Sequence, residues 1–115
     1  MSEELDEDIS AALLDELYKV VLSRKGDDPA QSHTANLFAK GIHKISQKVG
    51  EEAVEVVIEA VSGPREGVIS ESADLLYHLM VLWAERGIKP AEVWTALEGR
   101  KGISGIAEKA SRKVK

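Results

Sequence analysis

Four carboxylates stand in two matched pairs, Glu52-x-x-Glu55 and Glu71-x-x-Asp74, on either side of a Gly63-Pro64 break. An i, i+3 spacing puts both members of a pair on one side of a helix. If the two helices fold back on each other, all four acids converge. Carboxylates crowd together in an apolar setting only where a cation offsets their repulsion, so the pattern points to a hard divalent metal. Oxygen-only donors favour Mg²⁺, Mn²⁺ or Ca²⁺ over Zn²⁺ or Cu²⁺. Mg²⁺ completes its octahedron with water and with the phosphate oxygens of a substrate. The expected chemistry is therefore Mg²⁺-dependent work on a phosphate compound, with Mn²⁺ as a substitute ion. A di-iron bundle would need Glu-x-x-His, but the third residues after Glu55 and Glu71 are Ile58 and Asp74.

The surroundings of the two pairs bear on this reading. With Glu51 at zero and about 100° per residue, Glu55 falls near 40°, Lys48 near 60°, Glu59 near 80° and Glu52 near 100°. The opposite side is expected to hold Ile42, Ile45, Val49, Val56 and Ala60. A solvated charged face is the plain alternative. Against it, Glu51–Glu55, Glu52–Glu55 and Glu55–Glu59 are like-charge neighbours, each costing about 0.2–0.5 kcal/mol. Lys44 and Lys48 lie N-terminal to the acids, the poorer orientation for a helix ion pair. On the second helix, Glu71, Asp74 and His78 form one narrow stripe within the apolar run Val68 to Ala84. An unpaired carboxylate buried there would cost several kcal/mol or take up a proton. His78, one turn beyond Asp74, either hydrogen-bonds that carboxylate from behind the metal or is a satisfied, half-buried histidine. Tyr77, Met80 and Trp83 read as core.

The elements that must carry these groups are all helical. Ile9, Leu13, Leu14, Leu17, Val20 and Val21 keep a 3.6-residue rhythm, predicting a first helix from about Leu5 to Arg24, ended by Gly26-Asp27-Asp28-Pro29. Ser32-His33-Thr34 looks like an N-cap and a short helical turn. A long helix is expected from Ile42 to Ser62, a second from Pro64 to about Arg86, and a shorter one from Ala91 to about Glu98. No strand-like alternation is present. The fold class is all-α, with one domain over 1–115: a long antiparallel helical hairpin with shorter helices packed on it. Residues 1–4 and 108–115 are expected to be loose. The Val68–Ala84 helix is apolar around most of its circumference and must be covered. A homodimer with a four-helix core is the expected solution for so short a chain.

Composition narrows the function class. Fifteen basic against twenty acidic residues give a net charge of −5, which argues against broad nucleic-acid binding. The charge is uneven: seven acids and no base occupy 1–16, whereas six basic residues and one acid lie between Arg100 and Lys115. There is no cysteine, which excludes disulfides and thiolate metal sites and suits a reducing cytosol. The start of the chain lacks a secretory pattern, and no run reaches the roughly 18 apolar residues of a membrane span. The expected setting is cytoplasmic, without membrane or nucleic acid as partner.

The strings Lys48-Val49-Gly50-Glu51-Glu52-Ala53-Val54-Glu55 and Glu71-Ser72-Ala73-Asp74-Leu75-Leu76-Tyr77-His78-Leu79 resemble the phosphoribosyl-ATP pyrophosphohydrolase family of histidine biosynthesis. That family belongs to the MazG-like all-α nucleotide pyrophosphatases, whose shared pattern is E-x-x-E, a variable gap, then E-x-x-D. Further similarity lies in Ser32-His33-Thr34, Leu97-Glu98-x-Arg100 and Ser104-Gly105-Ile106-x-Glu108-Lys109, so it covers about residues 9–112. The chain departs at His33, where the family leads one to expect an aromatic residue in a packing or base contact. The resemblance implies that Glu52, Glu55, Glu71 and Asp74 are Mg²⁺ ligands, with Glu51 nearby as ligand, supporting group or catalytic base. Lys48 would contact a phosphate or simply form an ion pair. Arg100, Lys101 and Ser104 lie in a Gly-rich basic segment suited to the pyrophosphate leaving group, and Ser32 and Thr34 join the substrate-binding set. The implied reaction converts phosphoribosyl-ATP and water to phosphoribosyl-AMP and pyrophosphate in a homodimer. A nucleotide-pool-cleaning pyrophosphatase of the same fold is the nearest alternative. A non-catalytic helical adaptor with an acidic binding stripe is the alternative from another class.

Overall fold

A computed structural model describes residues 9–102. Five helices follow in order: α1 (Ala12–Ser23), α2 (His33–Lys40), α3 (Ile42–Ser62), α4 (Arg65–Glu85) and α5 (Pro90–Glu98), with no strand among the described residues. The all-α class and the hairpin stand. α3 has the expected limits, and α4 and α5 differ from expectation by a residue or so at their ends.

The first helix is shorter than its apolar rhythm suggests. It begins at Ala12; residues 9–11 are not helical, and 5–8 lie outside the described residues. The Ser10 hydroxyl accepts the Ala12 N–H at 3.2 Å, the local bond by which serine favours a helix start over a helix interior. The buried stripe also differs. Ile9, Leu13 and Val20 are exposed, while Tyr18 and Val21 are buried and Leu14 and Leu17 pack on them. Tyr18 is held by its own hydroxyl, which donates to the Ile88 carbonyl at 2.6 Å and ties α1 to the turn before α5.

Ser32 caps α2 as its type predicts, accepting the Ala35 N–H at 3.1 Å. α2 is a full two-turn helix rather than a single turn. It buries Thr34, Ala35, Leu37 and Phe38. Gly41, at φ 94°, then lets the chain reverse directly into α3. Between α3 and α4, Gly63 ends one helix and Pro64 precedes the next, so the two 21-residue helices lie antiparallel.

The core sits at one end of that hairpin. Tyr18, Val21, Leu37, Phe38, Ile45, Met80, Val81 and Ala84 form it, with Tyr77, Leu82 and Trp83 packed against it. Ile45 is fully buried, which corrects its assignment to the side of α3 opposite the acids. At about 100° per residue Ile45 lies only about 20° from Glu52, so core and acids share one inward stripe at different heights. Beyond this core the distal half of the hairpin has no cover among the described residues. Val54, Val57, Ile58 and Val61 of α3 and Ile69 and Leu76 of α4 are exposed, Val61 by 80%. On each helix these residues lie roughly opposite the acids, so the distal hairpin turns its acids inward and these six side chains outward, while Val56, Val68 and Leu75 are half-buried.

Candidate metal centre

Antiparallel packing sets the register in which the acids meet. Where Ile45 and Val81 share the core, one and two turns further out Lys48 and Glu52 stand level with His78 and Asp74. Carboxylate oxygens of Glu52, Glu71 and Asp74 lie within 4.8 Å of one another. Glu52 and Glu71 are half-buried and Asp74 is exposed. The expectation of acids deep in an apolar setting is thus corrected: they line the uncovered part of the hairpin, where water reaches them from one side. Glu55 is exposed and stands outside this group of three, although its charge is felt by Glu71.

The electrostatics of the cluster are those of anions held too close. Loss of solvent raises the Glu71 carboxyl above its usual range, and a hydrogen bond with Glu52 and the charges of Asp74, Glu52 and Glu55 raise it further. Proximity of like charges makes one carboxylate of a group keep its proton unless a cation is supplied. Three convergent oxygens, of the hard type, fit Mg²⁺ or Mn²⁺.

Glu51 is held differently. Its carboxylate accepts Gln47 Nε2 at 2.7 Å and pairs with Lys48 Nζ at 3.3 Å. These bonds, Gln47 first, hold it below the usual carboxylate range. It is exposed and outside the group of three. Lys48 also reaches Glu52, at 3.7 Å. It therefore bridges the outer glutamate and a member of the cluster despite lying N-terminal to both.

His78 sits behind the cluster. Its Nδ1 lies 2.8 Å from the main-chain oxygen of Asp74, not against the Asp74 carboxylate as the sequence suggests. In a helix the i−4 carbonyl is directly beneath the ring, whereas the Asp74 carboxylate is turned to Glu52 and Glu71. Nε2 is buried and without a hydrogen-bond partner among the described residues. His33, the position that departs from the family pattern, meets His78 edge to face with ring centroids 5.9 Å apart. Burial first, and then the nearby His78 and Lys48, hold the His33 imidazole below its usual range. His33 and Gln47 are the neighbours of the site that sequence reasoning did not assign. Their signal was only positional, one beside Thr34 and the other one turn before Glu51.

The remaining candidates are not gathered at the cluster. Thr34 is 4% exposed, and the Ser32 hydroxyl is engaged as the α2 cap. Arg100 and Lys101 line a separate groove of about 430 Å³ with Trp94, Leu97 and Glu98, where Lys101 pairs with Glu98 at 3.4 Å. Ser104 lies outside the described residues.

The sequence matches the family profile described as phosphoribosyl-ATP pyrophosphohydrolase over residues 14–101, from within α1 to just past the end of α5, including the acid cluster. The chain belongs to this family. Phosphoribosyl-ATP pyrophosphatase of Azospirillum brasilense is 63% identical over 108 residues, 94% of this chain and 97% of that protein. The enzyme of the same name from Granulibacter bethesdensis is 58% identical over 109 residues, 95% of this chain and 68% of its own length. That of Gluconobacter oxydans is 58% identical over 100 residues, covering 87% and 75%. Family membership makes the chain a hydrolase, and the matched segment contains both i, i+3 acid pairs, Glu52 with Glu55 and Glu71 with Asp74.

Proposed function

We propose that this chain hydrolyses the α–β phosphoanhydride of phosphoribosyl-ATP, giving phosphoribosyl-AMP and pyrophosphate, the second step of L-histidine biosynthesis, in the cytoplasm. The convergence of Glu52, Glu71 and Asp74 in a chain of this family carries the reading. Glu52, Glu55, Glu71 and Asp74 are the proposed holders of Mg²⁺, with Mn²⁺ as a substitute. When bound, such an ion draws charge from the triphosphate oxygens as the anhydride breaks.

The chain's own groups supply the rest. Glu51 is ionised through the neutral range and is the proposed base, orienting a water through its carboxylate. Lys48 keeps Glu51 and Glu52 in place and offers a cation to a phosphate oxygen. His78 secures its ring on the Asp74 backbone, which steadies the turn that presents Asp74. Arg100, Lys101 and Ser104 are the proposed contacts of the pyrophosphate, and Ser32 and Thr34 belong to the segment that flanks His33 beside the cluster.

A homodimer is part of the same proposal. Burying a Val, Leu or Ile side chain fully is worth about 1.5–3 kcal/mol, and six such side chains stand exposed on the outer faces of α3 and α4. A second copy of the hairpin offers a matching apolar face. It would leave the acids, which point between α3 and α4, free for substrate.

The deciding experiment incubates the chain with phosphoribosyl-ATP and Mg²⁺, with and without chelator, beside ordinary nucleoside triphosphates, and quantifies phosphoribosyl-AMP and pyrophosphate. Chelator-sensitive formation of phosphoribosyl-AMP supports the reading. Turnover of free triphosphates alone would replace it with the pool-cleaning activity.

A further inference from the structure

A glycine inside a helix costs about 1 kcal/mol relative to alanine. Gly67 pays this in the first turns of α4, where its backbone is ordinary right-handed helix that any residue adopts. Conformation does not call for glycine there; the seat of the Glu59 side chain does, since any larger residue must turn that carboxylate out of its place. A Cβ on Gly67 would overlap the carboxylate of Glu59, which reaches across from α3. A Cβ on Gly63 would overlap the same carboxylate and lie 3.1 Å from the Glu59 Cα. Glu59 is half-buried while Ile58 and Ala60 on either side are exposed. The side chain thus lies in a notch made by two glycines, next to the N-terminal turn of α4, whose dipole favours an anion.

The seat lies beyond the buried core, where among the described residues α3 and α4 meet through half-buried side chains only. The buried core stops near Ile45 and Met80; beyond it Val54, Val57, Ile58, Val61, Ile69 and Leu76 are exposed, while Val56, Val68 and Leu75 are half-buried. Helix register is normally set by interlocking side chains at the contact. Here the half-buried positions include Val56, Val68 and Leu75, together with Glu52, Glu71 and Glu59 in its notch. One turn from Glu59 toward the core stands Glu55, and one turn from Gly67 stands Glu71. The next positions are Glu52 and Asp74. A shift at the notch is carried along two rigid helices directly into the cluster.

We propose that Glu59, seated on Gly63 and Gly67, is a positioning residue that sets the spacing and register of α3 against α4 and thereby the closure of the Glu52–Glu71–Asp74 group. The consequence for metal rests on the function proposed above; the register does not.

Calorimetry with Mn²⁺ on the full-length chain reads the consequence. Glu59→Ala empties the notch and Gly67→Ala blocks it. Each is expected to raise the Mn²⁺ dissociation constant about tenfold, the low end for loss of a group that orients ligands, with helical circular dichroism unchanged. The Glu59→Ala/Gly67→Ala double variant is expected to be no worse than the weaker single, because both changes act on one contact. Glu59→Gln keeps the shape and is expected to stay within about twofold of the parent.

The register itself is read without metal. The chain has no cysteine, so nitroxides on Ser46→Cys and Ser70→Cys, both exposed, report the α3–α4 separation in EDTA, with labelled protein diluted in unlabelled. The separation is expected to change in both alanine variants and to stay at the parent value in Glu59→Gln. An unchanged separation in the alanine variants overturns the proposal. So does an additive double variant, or a Glu59→Gln defect equal to that of Glu59→Ala, which would mark Glu59 as acting by its charge. A parent chain that takes up no Mn²⁺ counts against the metal reading, and the label separations then decide the register alone.

Discussion

The His78 ring donates from Nδ1 to the main-chain oxygen of Asp74 at 2.8 Å and leaves Nε2 buried with no partner among the described residues. The bond runs within one helical turn, so it needs no other element to form it. A carbonyl oxygen can only accept, so the bond places a proton on Nδ1.

Replacing His78 by Phe removes both the satisfied and the unsatisfied nitrogen. A net hydrogen bond is worth about 1 kcal/mol and a buried unpaired polar atom costs about 1–3 kcal/mol, so the two effects oppose. His78→Phe is expected to unfold in urea within about 1 kcal/mol of the parent. A much larger loss would show that Nε2 is bonded in solution.

Glu71 is the carboxyl that burial and its acidic neighbours raise above 4.5. A raised carboxyl means that the folded chain binds the proton more tightly than the unfolded chain. Its stabilising effect is therefore full below the unfolded value of 4.5 and is lost as pH rises through the higher, folded value. Metal-free Glu71→Gln is expected to melt above the parent at pH 7, with the gap closing below pH 4.5, while its Mg²⁺-dependent pyrophosphate release is abolished. A lower melting temperature at pH 7 would contradict the like-charge account.

Glu51 has the opposite sign. Gln47 and Lys48 hold its carboxyl below 4.5, so its contribution is present above 4.5 and is lost as pH falls through the lower, folded value. As the proposed base, Glu51→Gln is expected to reduce kcat about a hundredfold and to leave Mn²⁺ affinity unchanged in calorimetry. Unchanged turnover would exclude Glu51 and move the role to a cluster carboxylate.

The exposed outer face of the hairpin predicts association. Val61→Glu puts a charge at a position 80% exposed in one chain. In a lone chain a surface change of this kind stays within about 0.5 kcal/mol. With a second copy covering the face, it buries an unpaired carboxylate, and dimers are expected to give way to monomers in sedimentation velocity. A parent chain that sediments as a monomer at micromolar concentration would reject the homodimer.

Much of this molecule is local and was legible as such. The i, i+3 acids, the Gly63-Pro64 break, the Ser32 cap and the limits of α3 each depend on neighbours a few residues away, where backbone preference and hydrogen bonding act directly. The start of α1 misled because apolar rhythm continues through Ile9, while Ser10 bonds the backbone and begins the helix later. The placement of Ile45 opposite the acids misled because core and acids follow one stripe at different heights.

The sequence by itself determined an all-helical chain, two acidic pairs on the two arms of one hairpin, and the family to which those pairs belong. The tertiary structure decided which of the acids meet: Glu52 with Glu71 and Asp74, with Glu55 one turn away and Glu51 turned to Gln47 and Lys48. It also decided that six distal apolar residues face outward and that Glu59 fills the space left by two glycines. The reason is physical. A helix is specified by bonds between residues three and four apart, whereas its rotation and register against another helix depend on side chains brought together only by folding.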